Sequence, residues 1–593
     1  MKAIHLLSIF LFASTLAQAQ LDFGPASKSV EEAKASLDGR RASFFTYHAN
    51  LPLKSPPIPP KAGLDEFMET MISRMALRVD LENVSKNIMT ESFHPWNPGT
   101  EISLLGSVCR RMGDYDFVLM GLVTMAYMDE DAGQTLLTPE ARNKLRHELL
   151  SQTGIEHHTG FKLENCLPIK IKDTENHILM TETARYLTNQ LLLRESIAAG
   201  KRDDSFDNQK NGFEEWFLNH LSQFLRTDFD ELNSRPYQAY TIIALSTLHS
   251  HADGERVKTV TKMILDYIST KVALQSMGLR RHTPFRRRLE YRETKYFTDA
   301  DHAMSWFAFH AGNHDFTDLA RDEKAEDERI DHYPYVMAAS DKYEIPEMIH
   351  EMFFHRSTPV FQIFNGRDPE AYFLSENFVL AAGGRHRNVF GYYVSQENDV
   401  WAVPTNIIPR SSALGLKQVF SMTGEPKWKK RNNLCVAPNF ACGKNLVIPS
   451  QFADKGIQNG AWTFYETPDF QLAIYKVGEY AFWEVQERGN FTEFMASVLK
   501  LNANEFSPNN RNIYKTSTGT VIEFDWKVKK LDQNPIVSIN GEVQIANTSQ
   551  WPLARGPVVN SLRDGKISIR SIDGSRERIL DQSDILNPKI IER

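Results

Sequence analysis

The sequence predicts a multidomain chain in which helical hairpins come first and a mostly antiparallel β region follows. Three observations predict it. From about Val30 to His355 apolar residues recur at helical spacing, from about Val360 they alternate or run in short blocks, and the two patterns do not interleave. Helices followed by strands argue for an α region and then an antiparallel β region, against the alternating units of a Rossmann-like fold. The expected division is a helical domain over 20–355 and a β domain over 356–593, with no strands through residues 100–310. A length of 593 residues accords with two or more domains.

Taken in order, residues 1–19 read as a secretory signal. Lys2 supplies the charge, Leu6 to Ala13 the short apolar block, and Ala17-Gln18-Ala19 the small-x-small pattern, with cleavage expected near Ala19-Gln20. An exported chain, periplasmic or extracellular, is therefore expected. No later stretch approaches about 20 apolar residues, so no stable membrane insertion is expected. A proline-rich extended segment, Lys54 to Lys61, separates an N-terminal helix from the main array. Amphipathic helices are then expected over Asp65–Arg78, Asp114–Met128, Pro139–Leu150, Asn176–Ala198, Asn211–Leu225, Pro236–His249, Arg256–Ala273 and Ala300–Ala311. Their connections are mostly short and carry Gly, Pro, Asp or Asn, as between antiparallel helix pairs. In the fourth of these helices Thr174 is the expected N-cap, and Asp173 and Glu175 suit the positive end of the helix dipole. Met180, Ala184, Leu187 and Leu191 set one apolar stripe along it.

Strand patterns follow at Glu370–Ser375, Phe378–Ala382, Val389–Val394, Ala461–Tyr465, Phe470–Tyr475, Ala481–Val485, Val521–Trp526, Ile536–Ile539 and Ile567–Ile572. Turn signals recur at Asn388, Asp469, Asn540-Gly541 and Asp564-Gly565. The content of 41% hydrophobic and 11% aromatic residues supports well-formed cores, and a net charge of -7 gives no sign of a nucleic-acid binder. The four cysteines fit an oxidising compartment. Cys435 and Cys442 bracket a short loop that a disulfide could staple, leaving Cys109 and Cys166, although four cysteines allow three connectivities. Neither pair has the arrangement of a zinc site, and no cofactor or metal is expected.

Two segments carry a family resemblance. Thr174-Glu175-Asn176-His177 ahead of Ala184-Arg185-Tyr186-Leu187 resembles the "SENH…ARYL" helix of α/α-toroid proteins. Asp230-Glu231-Leu232-Asn233-Ser234-Arg235-Pro236-Tyr237 ahead of Tyr240 resembles their "EYNSPTY" segment. Together with export and the α-then-β order, the chain resembles the α/α-toroid plus β-sandwich enzymes: the chondroitin AC lyase, hyaluronate lyase, alginate lyase and heparinase II/III groups. The resemblance implies an N-terminal α/α toroid, a C-terminal antiparallel β-sandwich, and β-elimination of an acidic, uronate-containing polysaccharide.

Such a lyase must neutralise the sugar carboxylate, remove the α-proton and protonate the leaving glycosidic oxygen. Amides and guanidinium groups suit the first task, His or Tyr the second, Tyr the third. Asn176 and Arg235 are the expected neutralisers, His177 the base and Tyr240 or Tyr237 the acid, with Asn233 on the substrate. Asp299-Ala300-Asp301-His302 opens another helix and could add His302 to the cleft. Arg286 and Arg287, in the basic run Arg280 to Arg288, form a candidate polyanion-binding loop. Trp96, in Phe93-His94-Pro95-Trp96-Asn97-Pro98-Gly99, is a flat aromatic suited to stacking on a sugar, or else to packing under a turn. His310 and His314, four apart, read as a solvated or core pair more than as metal ligands. Glu175, Glu182, Glu231, Asp299 and Asp301 keep open a glycoside hydrolase that uses two carboxylates. A non-catalytic glycan-binding envelope protein is the remaining alternative.

Overall fold

The computed structural model describes residues 36–54, 67–104, 109–151, 156–163, 167–230, 233–234, 237–282, 297–298, 302–311, 332–356, 358–366, 369–383, 405–410, 419–422, 434–526 and 533–593. The expected signal segment, most of the proline-rich segment and the Val389–Val394 strand lie outside these residues. Among the described residues, helices dominate to Phe354 and antiparallel strands dominate from Val360.

The Glu175–Ala198 helix lies at the centre of the helical region, packed against the Tyr115–Asp131 and Gln238–His251 helices. Its expected single apolar stripe is corrected: every residue from Asn176 to Leu192 is buried. A helix enclosed on all sides must pair its polar groups internally. Gln190 donates to the Tyr127 hydroxyl at 2.6 Å, Asn189 to Asn208 at 2.9 Å and Tyr186 to Glu214 at 3.0 Å. Thr174 stands at the N-cap position but makes no side-chain cap; its hydroxyl donates to Asn176 Oδ1 at 2.6 Å instead.

The expectation of an α region without strands is also corrected. Ile102–Leu104 pairs with Cys109–Arg111, Gly160–Leu163 with Leu167–Lys172, and Ser276–Met277, Arg280–His282 and Phe297–Thr298 form a third small sheet. Each is a helix connection folded back on itself, and none joins the large sheets. Strands of two to six residues vanish inside a window wide enough to read helical periodicity. Further helices at Leu81–Ile88, His332–Ser340 and Glu347–Phe354 add to those expected. The Pro139 helix is capped by Thr138 and closes with a π-helical turn at Leu145–Leu149.

The β region is layered. A seven-stranded antiparallel sheet has Phe378–Gly383, Pro369–Leu374 and Val360–Asn365 at its centre. Strand alternation sends Phe364, Tyr372, Leu374, Val379 and Ala381 into the helical core. Their neighbours Ile363, Ala371, Phe373, Phe378 and Leu380 meet Leu472, Ile474, Trp483 and Val485 of a six-stranded sheet. The opposite face of that sheet carries Phe440, Tyr475 and Phe482, which pack on Tyr514, Ile522 and Phe524 of a four-stranded sheet and on Phe494 of a Phe491–Leu501 helix. That helix was not legible as such among strand patterns; Asn490 caps it by accepting from Glu493 N at 3.2 Å. Asn540 and Gly541 turn the Ile536–Ile539 strand into Glu542–Val543 with φ of 51° and 79°, the left-handed pair a tight hairpin demands.

A second four-stranded sheet, Val559–Asn560 to Lys589–Glu592, returns to the helices. Val559, Ile567, Ile569 and Leu580 belong to the helical core, and Arg578 donates to Asp266 at 2.7 and 2.9 Å. A disulfide joins Cys435 to Cys442 across the Val436–Ala437 hairpin, with Cα atoms 5.2 Å apart. Cys166 lies outside the described residues. No helix among the described residues is long and apolar enough to cross a membrane.

Candidate active site

His177 sits in the first turn of the central helix, where residues from three other segments converge. Its Nδ1 lies 2.6 Å from Asp116 Oδ2, and its Nε2 lies 3.9 Å from Asp114 Oδ1. Asp116 is wholly buried, and its second oxygen accepts from Gly99 N at 2.7 Å. Burial alone would push His177 down. The charge of Asp116 and the hydrogen bond to it, with Asp173 and Asp114 beyond, instead carry the imidazole up to about 9. At neutral pH the ring therefore holds both protons. A general base must be unprotonated before it acts, so this shift bears on the role expected of His177.

The same cluster fastens the loop that bears Trp96. Asp114 N donates to Gly99 O at 2.7 Å, Tyr115 N to Asn97 O at 3.3 Å, and Arg111 to the carbonyls of Pro98, Gly99 and Thr100. Thr100 donates from its backbone N, at 3.2 Å, and from its hydroxyl to Asp173. Asp173 also meets His158 Nε2 at 2.7 Å. Burial would raise Asp173, but the His158 hydrogen bond, the charge of His177 and the Thr100 hydroxyl hold it down at about 2. Gly99 has φ of 88°, and a Cβ there would collide with Asp173 and His158, so only glycine fits. Trp96 itself is partly buried against the helical core.

The second helix start reaches the same place. Phe117 makes edge contacts with His177, centroids 5.3 Å apart, and with Tyr240, centroids 4.4 Å apart. Tyr240 and Phe117 are half-buried, as is Tyr237. Glu175 Oε2 accepts from Asp230 N at 2.6 Å, tying the loop that leads to Asn233 onto the helix of Asn176 and His177. Asn233 is buried in a left-handed conformation, φ 58°. Asn176 is wholly buried, and its Nδ2 has no hydrogen-bond partner among the described residues. His177, Asn176, Tyr240 and the Trp96 loop are thus brought together. Arg235, Arg286 and Arg287 lie outside the described residues, and of His302 only the backbone, at the start of His302–Ala311, is described.

Other polar residues of the central helix are structural. Glu182, fully buried, accepts from His158 N at 2.5 Å and lies 3.4 Å from His157 Nδ1 and 3.5 Å from Arg185. Two carboxylates that the hydrolase alternative would need, Glu175 and Glu182, are therefore engaged in holding backbone. His310 is a core residue, 3.2 Å from Asp341, and His314 lies outside the described residues. A surface hollow of about 630 Å³ beside Met89, Lys144 and His147 shares no residue with this cluster. Asp116 was missed by sequence reading because one acidic residue in a helix's first turn looks like dipole matching; only the tertiary fold sets it against His177. No family model, curated protein or solved structure matches this chain.

Proposed function

We propose that the chain is an exported enzyme that cleaves an acidic, uronate-containing polysaccharide by β-elimination, on an α/α-toroid plus β-sandwich scaffold. The observation that carries this reading is the meeting of two distant helix starts at Phe117, which puts a protonated His177 and a half-buried Tyr240 on one aromatic ring. A fixed imidazolium and the Asn176 Nδ2, which has no partner among the described residues, suit a sugar carboxylate, which must lose its charge before the α-proton turns acidic. His177 thereby moves from base to neutraliser. Tyr240 or Tyr237, ionised to the phenolate, then takes the α-proton, and the phenol so formed gives that proton to the leaving oxygen as the carbon–carbon double bond forms and the glycosidic C–O bond breaks. Arg235, Arg286 and Arg287 would add further positive charge, whereas Arg281 is buried against Gln238 and Gln275.

A hydrolase reading is favoured by one observation. Asp114 is pushed upward by burial, against the charge of His177, while its side chain stays 29% exposed, the condition of a general acid. Incubation with a panel of acidic polysaccharides separates the two. Elimination yields a new carbon–carbon double bond, visible by ultraviolet absorbance, and Tyr240→Phe abolishes it. Saturated products together with an inactive Asp114→Asn would replace the lyase by the hydrolase. Binding without cleavage of any glycan would leave a recognition surface.

A further inference from the structure

We propose that Asp116 is the positioning residue of this site: one buried carboxylate that locks the His177 ring and the 94–100 loop into a single unit. This deepens the reading above and rests on it for the identity of the ligand, a carboxylate-bearing sugar. The geometry is that of a two-handed clamp. One oxygen of Asp116 takes His177 Nδ1 at 2.6 Å and the other takes Gly99 N at 2.7 Å, and the carboxylate is fully enclosed. A hydrogen bond at Nδ1 fixes the ring's rotation and leaves Nε2 on the side of Asp114, whose Oδ1 lies 3.9 Å away.

The groups facing His177 from every side are accounted for. Asp114 comes from the segment preceding the Tyr115–Asp131 helix and Asp116 from its first turn. Asp173, just ahead of His177's own helix, is bonded to His158 and Thr100. Phe117 contributes an uncharged ring edge with Tyr240 behind it. Among the carboxylates of the described residues, only Asp116 touches the imidazole within hydrogen-bond distance. It also reaches the loop bearing Trp96, so one residue holds both the ring and that loop.

The test is a pH titration of the full chain labelled with ¹³C at histidine Cε1, with the His177 signal assigned by its loss in His177→Gln. In the wild type the signal is expected to keep its protonated position through neutrality and to move only near pH 9. In Asp116→Asn it is expected to titrate near the ordinary histidine value of about 6.5. Amide exchange across 94–100 should quicken in the same variant, while exchange across 470–487 stays unchanged. A wild-type His177 that titrates in the ordinary range overturns the proposal, whether or not Asp116→Asn folds. So does a folded Asp116→Asn protein whose His177 titration is unmoved. On an acidic glycan that the wild type cleaves, the alkaline limb of kcat/KM should shift from about 9 toward neutrality in Asp116→Asn and be restored in Asp116→Glu. If His177 behaves as expected and no acidic glycan is cleaved, the lyase reading falls and the assignment of Asp116 stands.

Discussion

The interior beneath the two helix starts and the interior between the outer sheets are both closed to water but are built from opposite materials. Around Asp116 the helical region buries carboxylates, imidazoles and an amide. Around Phe482 the β layers bury Phe440, Tyr475, Phe506, Tyr514, Phe524 and Trp526. Each region also holds one informative buried carboxyl. Asp173, beside His158 and His177, is held at about 2. Glu484 takes hydrogen bonds from Ser517 and Tyr514 only; burial wins and pushes it up to about 6. Two buried histidines make the same point. His177 rises to about 9 among aspartates, while His48, next to His332 with no carboxylate in contact, is driven by burial down to about 3. Burial is common to all four, and the charge of the neighbour decides the direction. A dry aromatic layer supplies stability; a dry layer of matched charges supplies preset protonation states, the raw material of a site.

The sharpest break between the two regions should come from deleting one residue in each. His177→Ala, which removes the proposed neutraliser, is expected to lower glycan turnover by about 10²–10³-fold. Phe482→Ala should leave turnover per folded molecule intact and cost roughly 3–5 kcal/mol of stability, read by denaturant unfolding. Equal loss of turnover in both would erase the distinction. Next comes alkaline stability. Because the folded pKa of His177 is raised, its contribution is complete below the unfolded value near 6.5 and is lost as pH climbs through about 9. That contribution is on the order of 3 kcal/mol, so melting curves from pH 6 to 10 should flatten in His177→Gln. Glu484 gives the same sign in the acid range. Its folded pKa is also raised, so the fold is favoured by protonation, and stability declines as pH rises from about 4.5 to about 6 and then levels. Glu484→Gln should remove that decline, about 2 kcal/mol; an unchanged slope would mean that the carboxyl is not desolvated. The smallest effect is a control that treats both regions alike. Thr138→Ala in the helical region and Asn490→Ala in the β region each delete a helix cap and should each cost about 1 kcal/mol.

The α-then-β order was legible because long periodic segments dominate it, and strands such as Phe470–Val477 and Tyr480–Glu487 announce themselves by alternation and length. Short pairings were not. Cys109–Arg111 and Arg280–His282 have no pattern of their own and exist because neighbouring helices hold their ends together. The disulfide could be read from proximity in sequence, since seven residues of separation already confine both cysteines. At the site, Asn176, His177 and Tyr240 stood out as polar residues opening apolar helices. What could not be read was their electrostatics. The shift of His177 belongs foremost to Asp116, sixty-one residues away.

The return of the last sheet to the helices has a consequence for the order in which the chain can mature. Leu553, Ala554, Val558, Val559, Ile567, Ile569 and Leu580 complete a core whose other buried members lie before residue 382, and Arg578 neutralises Asp266 inside it. The helical region therefore cannot seal itself while it is being synthesised; it waits for the far end of the polypeptide. A chain stopped at residue 550 would retain its helices yet show a greasy flank with Asp266 stripped of its Arg578 partner, and would be expected to bind a hydrophobic dye and yield to protease. If that shortened chain is as dye-silent and protease-resistant as the full one, the final strands are ornament and not keystone.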